Sequence, residues 1–245
     1  MTKAEMSRTS WLCTGAPDMY LTRMYLNPAR RGTAFLLASP QRMHAAVLSS
    51  FPPDSDLVTD EGRVLWRVDR DGPKATLFVS SPVPPDLTHV VEQAGWPAAD
   101  NGWQTADTSR FMSRLSDGQR WRFRLTANPT YLKKPDNQDD GPVRWKPTAH
   151  VTLGFQEAWL QEKSKRLGFQ ITNNSLDVPS LAIVNRKKIS FDRRTDSGSH
   201  RVSLAMATYD GELEVTDRDE LQYALGHGIG RAKGYGCGLM TLAAP

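Results

Sequence analysis

The stretch "VLWRVDRDGPKATLFVSS", residues 64–81, constrains the fold of this chain more than any other. Two β-rich segments, 64–69 and 74–81, are separated only by "RDGP", a turn too short for a crossover, so they must pair as an antiparallel hairpin. Upstream, "MYLTRMYL" (19–26) alternates as a strand does, with Tyr and Leu enriched. "SPQRMHAAVLSSF" (39–51) reads as a helix: Ser39 stands at the cap, Pro40 suits the first helical position, and Met43, Val47 and Phe51 recur every four residues on one face. Downstream, "LTHVVEQAG" (87–95) reads as a second helix and "RFMSRL" (110–115) as a last strand. The order is βαββαβ, a ferredoxin-like half.

The pattern then restarts. "RWRFRLTA" (120–127) is a strongly alternating strand, and the polar stretch 128–147 reads as a loop. "FQEAWLQEKSKRLG" (155–168) reads as an amphipathic helix with Phe155, Trp159 and Leu167 on the apolar side and Gly168 as its stop. "SLAIVNRKKISF" (180–191) and "RVSLAMATYDGELEV" (201–215) supply strands. Thr216 opens a helix with Asp219 in the capping-box position, Gly226 ends it, and "GLMTLA" (238–243) is the final strand. The expected class is α+β: two tandem ferredoxin-like domains with antiparallel sheets, at 19–117 and 118–245, after an N-terminal extension at 1–18.

A hydrophobic fraction of 39% and a charged fraction of 24% are those of an ordinary soluble protein, and no apolar run approaches the roughly 20 residues of a membrane span. The first eighteen residues lack the apolar core of a signal peptide, and Cys13 and Cys237 have no metal-site spacing, so a reducing cytoplasm is expected. The net charge is +4, but the basic residues cluster, in "QRWRFRL" (119–125), "NRKKISFDRR" (185–194) and the last twenty residues. Acidic residues concentrate in "DNQDDG" (136–141) and "TDRDE" (216–220). Clustered positive charge is what a polyanion binder shows, although a solvated basic face has the same composition.

The chain closes on "GHGIGRAKGYGCGLMTLAAP". A Walker loop is excluded because no lysine follows Gly234 in the required register. A dinucleotide fingerprint fails because Lys233 stands where the third glycine belongs and because the segment follows a helix instead of opening one. No nucleotide cofactor is therefore expected. What remains is a loop whose glycines let backbone N–H groups approach an anion, with Arg231 and Lys233 beside them; the same glycines also serve a tight helix-to-strand connection.

No His/Cys cluster or paired carboxylates of metal-site spacing occur, so no metal is expected. His44 follows Met43 on the first helix, about 100° round from the apolar stripe, on the rim of the buried face. RNA offers a reaction that such a residue can serve without a metal. Its 2′-hydroxyl attacks the adjacent phosphate if the protein aligns the groups, moves protons and stabilises charge.

Three stretches taken together, "MYLTRMYLNPARR…ASPQRMHAAVLSSFP", "RWRFRLTANPT" with "AWL" beyond it, and "HGIGRAKGYGCGLMTLA", resemble the CasE family, the CRISPR RNA-processing endoribonucleases of type I-E Cascade complexes. The resemblance runs from Met19 to Pro245. It implies two ferredoxin-like (RAMP) domains, metal-independent cleavage of the precursor RNA at the base of the repeat stem-loop, and retention of the hairpin among other Cascade subunits. By the same resemblance His44 matches the catalytic histidine. Some relatives carry a tyrosine three residues earlier, where this chain has Gln41, which cannot do acid–base work; a non-catalytic RNA-binding RAMP subunit is the alternative. Arg186, Lys187 and Lys188, extended by Arg193 and Arg194, match the region that reaches the RNA stem. Gly228, Gly230, Lys233, Gly236 and Gly238 match the family loop that holds RNA, and Arg231 lies within it. Arg120, Arg122 and Arg124 alternate along one strand and are expected to share an RNA-facing side.

Overall fold

The computed structural model describes residues 19–134, 145–195 and 198–245, with the side chains of Arg193, Arg194, Thr195, Ser199 and His200 outside that description. The extension at 1–18, with Cys13, and the whole acidic stretch 136–141 also lie outside it. In the first half, β1 (Tyr20–Leu26) is followed by α1 (Arg31–Leu37), α2 (Pro40–Leu48), β2 (Leu65–Asp71), β3 (Lys74–Ser81), α3 (Thr88–Ala94) and β4 (Trp103–Asp107). The hairpin closes with Asp71 opposite Lys74, and Gly72 turns the chain at a φ of 54°. Strand order is β2-β3-β1-β4, antiparallel throughout. Met43 and Val47 of α2 and Phe51 beyond it are buried against Met24, Leu77 and Val79 of the sheet, as the four-residue spacing requires. Ser39 takes the N-cap position, but its hydroxyl makes no capping bond.

Two elements differ from the sequence reading. Residues 110–115 are not the last strand: Ser109–Ser113 form a short helix, α4. Phe111, Met112 and Leu115 fall at helical spacing, and Met112 and Leu115 are buried in the core of the second half. The fourth strand is β4, an edge strand whose "WQTAD" is mostly exposed and so carries no apolar alternation.

The second half contains β5 (Arg120–Ala127), β6 (Thr130–Lys133), β7 (Lys146–Ala149), α5 (Leu153–Ser164), β8 (Phe169–Ile171), β9 (Leu181–Thr195), β10 (Gly198–Val215), α6 (Arg218–His227) and β11 (Met240–Ala243). β6 and β7 pair antiparallel, β6 wholly and β7 by its first half within the stretch 128–147 expected to be loop. The main sheet runs β11-β5-β10-β8, with β9 also on β10. The outer part of β9 and β10 pairs only with itself, as a two-stranded arm extending beyond β5. On α5, Trp159 and Leu160 are buried, but Phe155 is 63% exposed and packs at a tilt against His150. The buried face instead carries Gln156, which donates to the His150 carbonyl and accepts from Arg186. α6 is capped by Asp217, not Thr216: its carboxylate accepts from the N–H groups of Asp219 and Glu220. The helix runs to His227, one residue past Gly226, and Gly228 caps it.

The two sheets meet where the edge strands β2 and β11 adjoin, and the junction is polar. Arg67 of β2 is 2% exposed. Its Nη1 donates to the carbonyls of Arg124 (2.8 Å) and Leu239 (2.9 Å), and its Nη2 to Thr241 Oγ1 (2.9 Å). Both carboxylate oxygens of Asp69 accept from the same guanidinium, at 2.7 and 2.9 Å. A guanidinium taken out of water is tolerable only with acceptors on this scale. Replacing it with an uncharged side chain of similar length, Arg67→Met, strands Asp69 and two carbonyls. The expected cost is about 3 kcal/mol, read as a lowered denaturation midpoint. Among the described residues no helix is long and apolar enough to cross a membrane.

Candidate functional site

The same junction brings the closing loop to His44. Gly228 abuts Leu65, and Gly236, with a φ of 81°, lies so close to the Trp66 ring that a Cβ there would stand 2.8 Å from it. Both the left-handed backbone and the contact require glycine at Gly236. Between them the chain makes a 3₁₀ turn, Lys233–Tyr235, entered through Ala232 at a φ of 67°. That left-handed conformation costs a residue with a Cβ about 1 kcal/mol. The loop is pinned on its far side too: Gly238 N–H donates to the Thr126 carbonyl at 2.7 Å, and Cys237 is fully buried, which pushes its thiol pKa up to about 12. The "NP" that follows the arginine-rich strand serves the same junction. Asn128 bridges to Arg231 and accepts from the Ala205 N–H.

Gly234 is where loop and histidine meet: a Cβ built on it would lie 3.2 Å from His44 Nε2. On the other side of the ring, Trp66 Nε1–H donates to His44 Nδ1 at 3.3 Å. Burial, and then the nearby Arg63 guanidinium, hold the His44 pKa below its ordinary value, so the imidazole is neutral at neutral pH. Burial and Arg63 likewise lower Lys233. Arg63 itself has a buried Nε without a hydrogen-bond partner. A guanidinium that disfavours the charged forms of its neighbours and keeps an unused donor makes a site that gains when an anion arrives. Among the described residues no group of three His, Cys, Asp or Glu side chains could hold a metal ion.

A groove of about 320 Å³ continues from this point between the sheets, lined among others by Met43, Trp66, Arg70, Lys187 and Tyr235. The basic arm stands over it, with Phe191 packed edge-on against Tyr235 at 4.9 Å. Other described histidines are turned elsewhere: His89 bonds to the Ala46 carbonyl, His150 packs at a tilt against Tyr131, and His227 lies on Tyr223.

The remaining basic residues separate. Arg186, Lys187 and Lys188 are consecutive on β9, so they alternate between its faces. Arg186 reaches back to α5, bonding Gln156 Oε1 and the Val151 carbonyl, whereas Lys187 faces the groove. Arg120, Arg122 and Arg124 do share one side of β5, but acids stand opposite all three: Glu214, Glu212 and Asp210. Arg120 pairs with Glu214 at 3.0 Å and Arg124 with Asp210 at 2.5 Å, and Arg122 donates to the Ala244 carbonyl. That stripe therefore carries no net positive charge for a polyanion, and none of the three is a neighbour of His44 in this geometry. Arg63 and Trp66 are the site residues that sequence reasoning missed. Neither has a local signature: Trp66 reaches His44 by tertiary contact within the first half, and Arg63 bears on His44 and, across the junction, on Lys233.

Comparison with known proteins places this geometry in context. A family model described as CRISPR associated protein matches residues 19–244. The chain is 28% identical over 230 residues to the CRISPR-associated endoribonuclease Cse3 of Thermus thermophilus, covering 92% of this chain and all of that protein. A structure of Cse3 bound to a 19-nucleotide RNA matches with a TM-score of 0.69 at 27% identity, over 93% of this chain and 100% of that one. Thermus thermophilus Cse3 bound to an RNA representing a pre-cleavage complex matches with a TM-score of 0.68 at 28% identity, over 92% and 99%.

Proposed function

Because the chain belongs to the CRISPR associated protein family, we propose that it cuts precursor CRISPR RNA at the base of the repeat stem-loop without a metal ion. The observation that carries this reading is the meeting of His44 Nε2 with Gly234, on a loop whose Lys233 lies by Arg63. The relative named as an endoribonuclease, and its RNA-bound structures, support it.

In this reading the backbone of the closing loop cradles the scissile phosphate, Arg63 and Lys233 offset its growing charge, and His44 moves a proton at Nε2. The 2′-oxygen forms a bond to phosphorus as the bond to the 5′-oxygen breaks. The 2′-hydroxyl proton passes to water and the departing oxygen gains one from His44 Nε2, leaving a cyclic phosphate and a free 5′-hydroxyl. The product hairpin stays bound, held through phosphates and shape because the A-form major groove is too narrow to read. Other Cascade subunits are the partners and the cytoplasm the place. The domains are taken as 19–117 and 118–245, with α4 reaching from the first into the core of the second. The competing reading, a non-catalytic RNA-binding RAMP subunit, draws on Gln41. A repeat hairpin should be cut once in EDTA while a scrambled, unpaired RNA of the same composition is spared; equal treatment of the two would contradict stem-loop recognition.

The faces of β9 bear on RNA affinity. Replacing Lys187 and Lys188 together should lower the slope of log affinity against log salt by roughly one, since only Lys187 faces the groove. A fall of roughly two would put both lysines on phosphates.

A further inference from the structure

We propose that Trp66 is a positioning residue for the cleavage proposed above: its indole N–H fixes His44 as the neutral tautomer protonated at Nε2, so that Nε2 alone meets the RNA. An indole nitrogen is a donor only, so the 3.3 Å contact requires a lone pair on His44 Nδ1. A neutral imidazole has one proton, which must then sit on Nε2, the nitrogen beside Gly234. Trp66 cannot easily turn away. It is 5% exposed, and Gly236 lies against its ring.

Two consequences follow for the chemistry. An in-line displacement puts the entering 2′-oxygen and the departing 5′-oxygen on opposite sides of phosphorus, so one nitrogen serves one of them in a given step. Because Nε2 carries the proton, His44 meets the departing side and gives that proton to the 5′-oxygen as the P–O bond breaks, while water, having taken up the 2′-hydroxyl proton, restores the one at Nε2. Protonation to the imidazolium would add an N–H at Nδ1, directly against the indole N–H, so Trp66 also opposes the charged form. It acts in the same direction as burial and the Arg63 charge. The charged groups on the elements packed against His44 are Arg63 just ahead of β2, Arg67, Asp69, Arg70 and Asp71 on β2, and Arg231 and Lys233 on the closing loop; its own helix adds Arg42, which is turned onto Phe35, and of these Arg63 is the one that bears on its charge.

This inference rests on the proposed reaction for its meaning but not for its test, which is made on the RNA-free protein. Nitrogen NMR of ¹⁵N-histidine-labelled full chain should show neutral His44 with Nδ1 unprotonated and Nε2 protonated. A dominant Nδ1–H tautomer overturns the proposal whether or not the chain cuts RNA. In Trp66→Phe, which keeps an aromatic ring and loses the N–H, the His44 titration midpoint should rise by roughly half to one pH unit. The corresponding limb of the single-turnover pH–rate profile should move with it. A purely packing role would lower the rate at every pH and leave the midpoint in place, which also overturns the proposal.

Discussion

His44→Ala is expected to lower single-turnover cleavage of the repeat hairpin by ~10³-fold or more, the upper range for loss of a positioned proton-transfer group. Affinity for the hairpin should stay within about threefold, because counterion release depends on the cations placed at phosphates. Burial and Arg63 keep the imidazole neutral at neutral pH, so its removal deletes no cation from the interface. The fold should survive, since alanine is a better helix former and the ring is only half-buried on α2. Binding and denaturation curves that overlay the parent's, with no product, would assign His44 to chemistry. Undiminished cutting would remove it from the site.

Gly234→Ala should be the second most damaging change, and it tests the loop instead of the histidine. The backbone at Gly234 lies outside the left-handed region, so alanine is conformationally allowed there, unlike at Gly236. Its methyl would sit 3.2 Å from Nε2, 3.4 Å from Cδ2 and 3.5 Å from Cε1, across the edge that faces the loop. The scissile phosphate would be displaced by about a methyl radius, and a shift of roughly 1 Å costs about 10²-fold in rate. Stability should change by less than about 1 kcal/mol, since the added group contacts a single movable ring. A variant that cuts at the parent rate would mean that the scissile phosphate does not rest against Gly234 beside His44 Nε2.

Much of this arrangement was legible in residue order. The hairpin around Gly72 and the four-residue spacing of Met43, Val47 and Phe51 are local signals, and both appear in the fold. α4 was misread because Phe111, Met112 and Leu115 are apolar without the length that separates a short helix from a strand. β4 was missed because an exposed edge strand has no alternation to show. His44 was visible as a histidine on the rim of an apolar face. Trp66 read only as a strand residue, and its indole finds the imidazole through tertiary contact alone. The arginines of β5 carry a different lesson. Asp210, Glu212 and Glu214 alternate in the sequence just as Arg120, Arg122 and Arg124 do, yet which strand lies beside which is set by the sheet and not by either segment. The consecutive cations at 186–188 needed only the period of a strand to be split between two faces.

The most direct measurement is end-group mapping of the RNA after incubation with the unmodified protein and its own repeat hairpin in EDTA. A single cut at the base of the stem, with a 2′,3′-cyclic phosphate on one product and a 5′-hydroxyl on the other, is the expected result. Intact RNA held in a tight complex, or cleavage that appears only when a divalent ion is added, would contradict it.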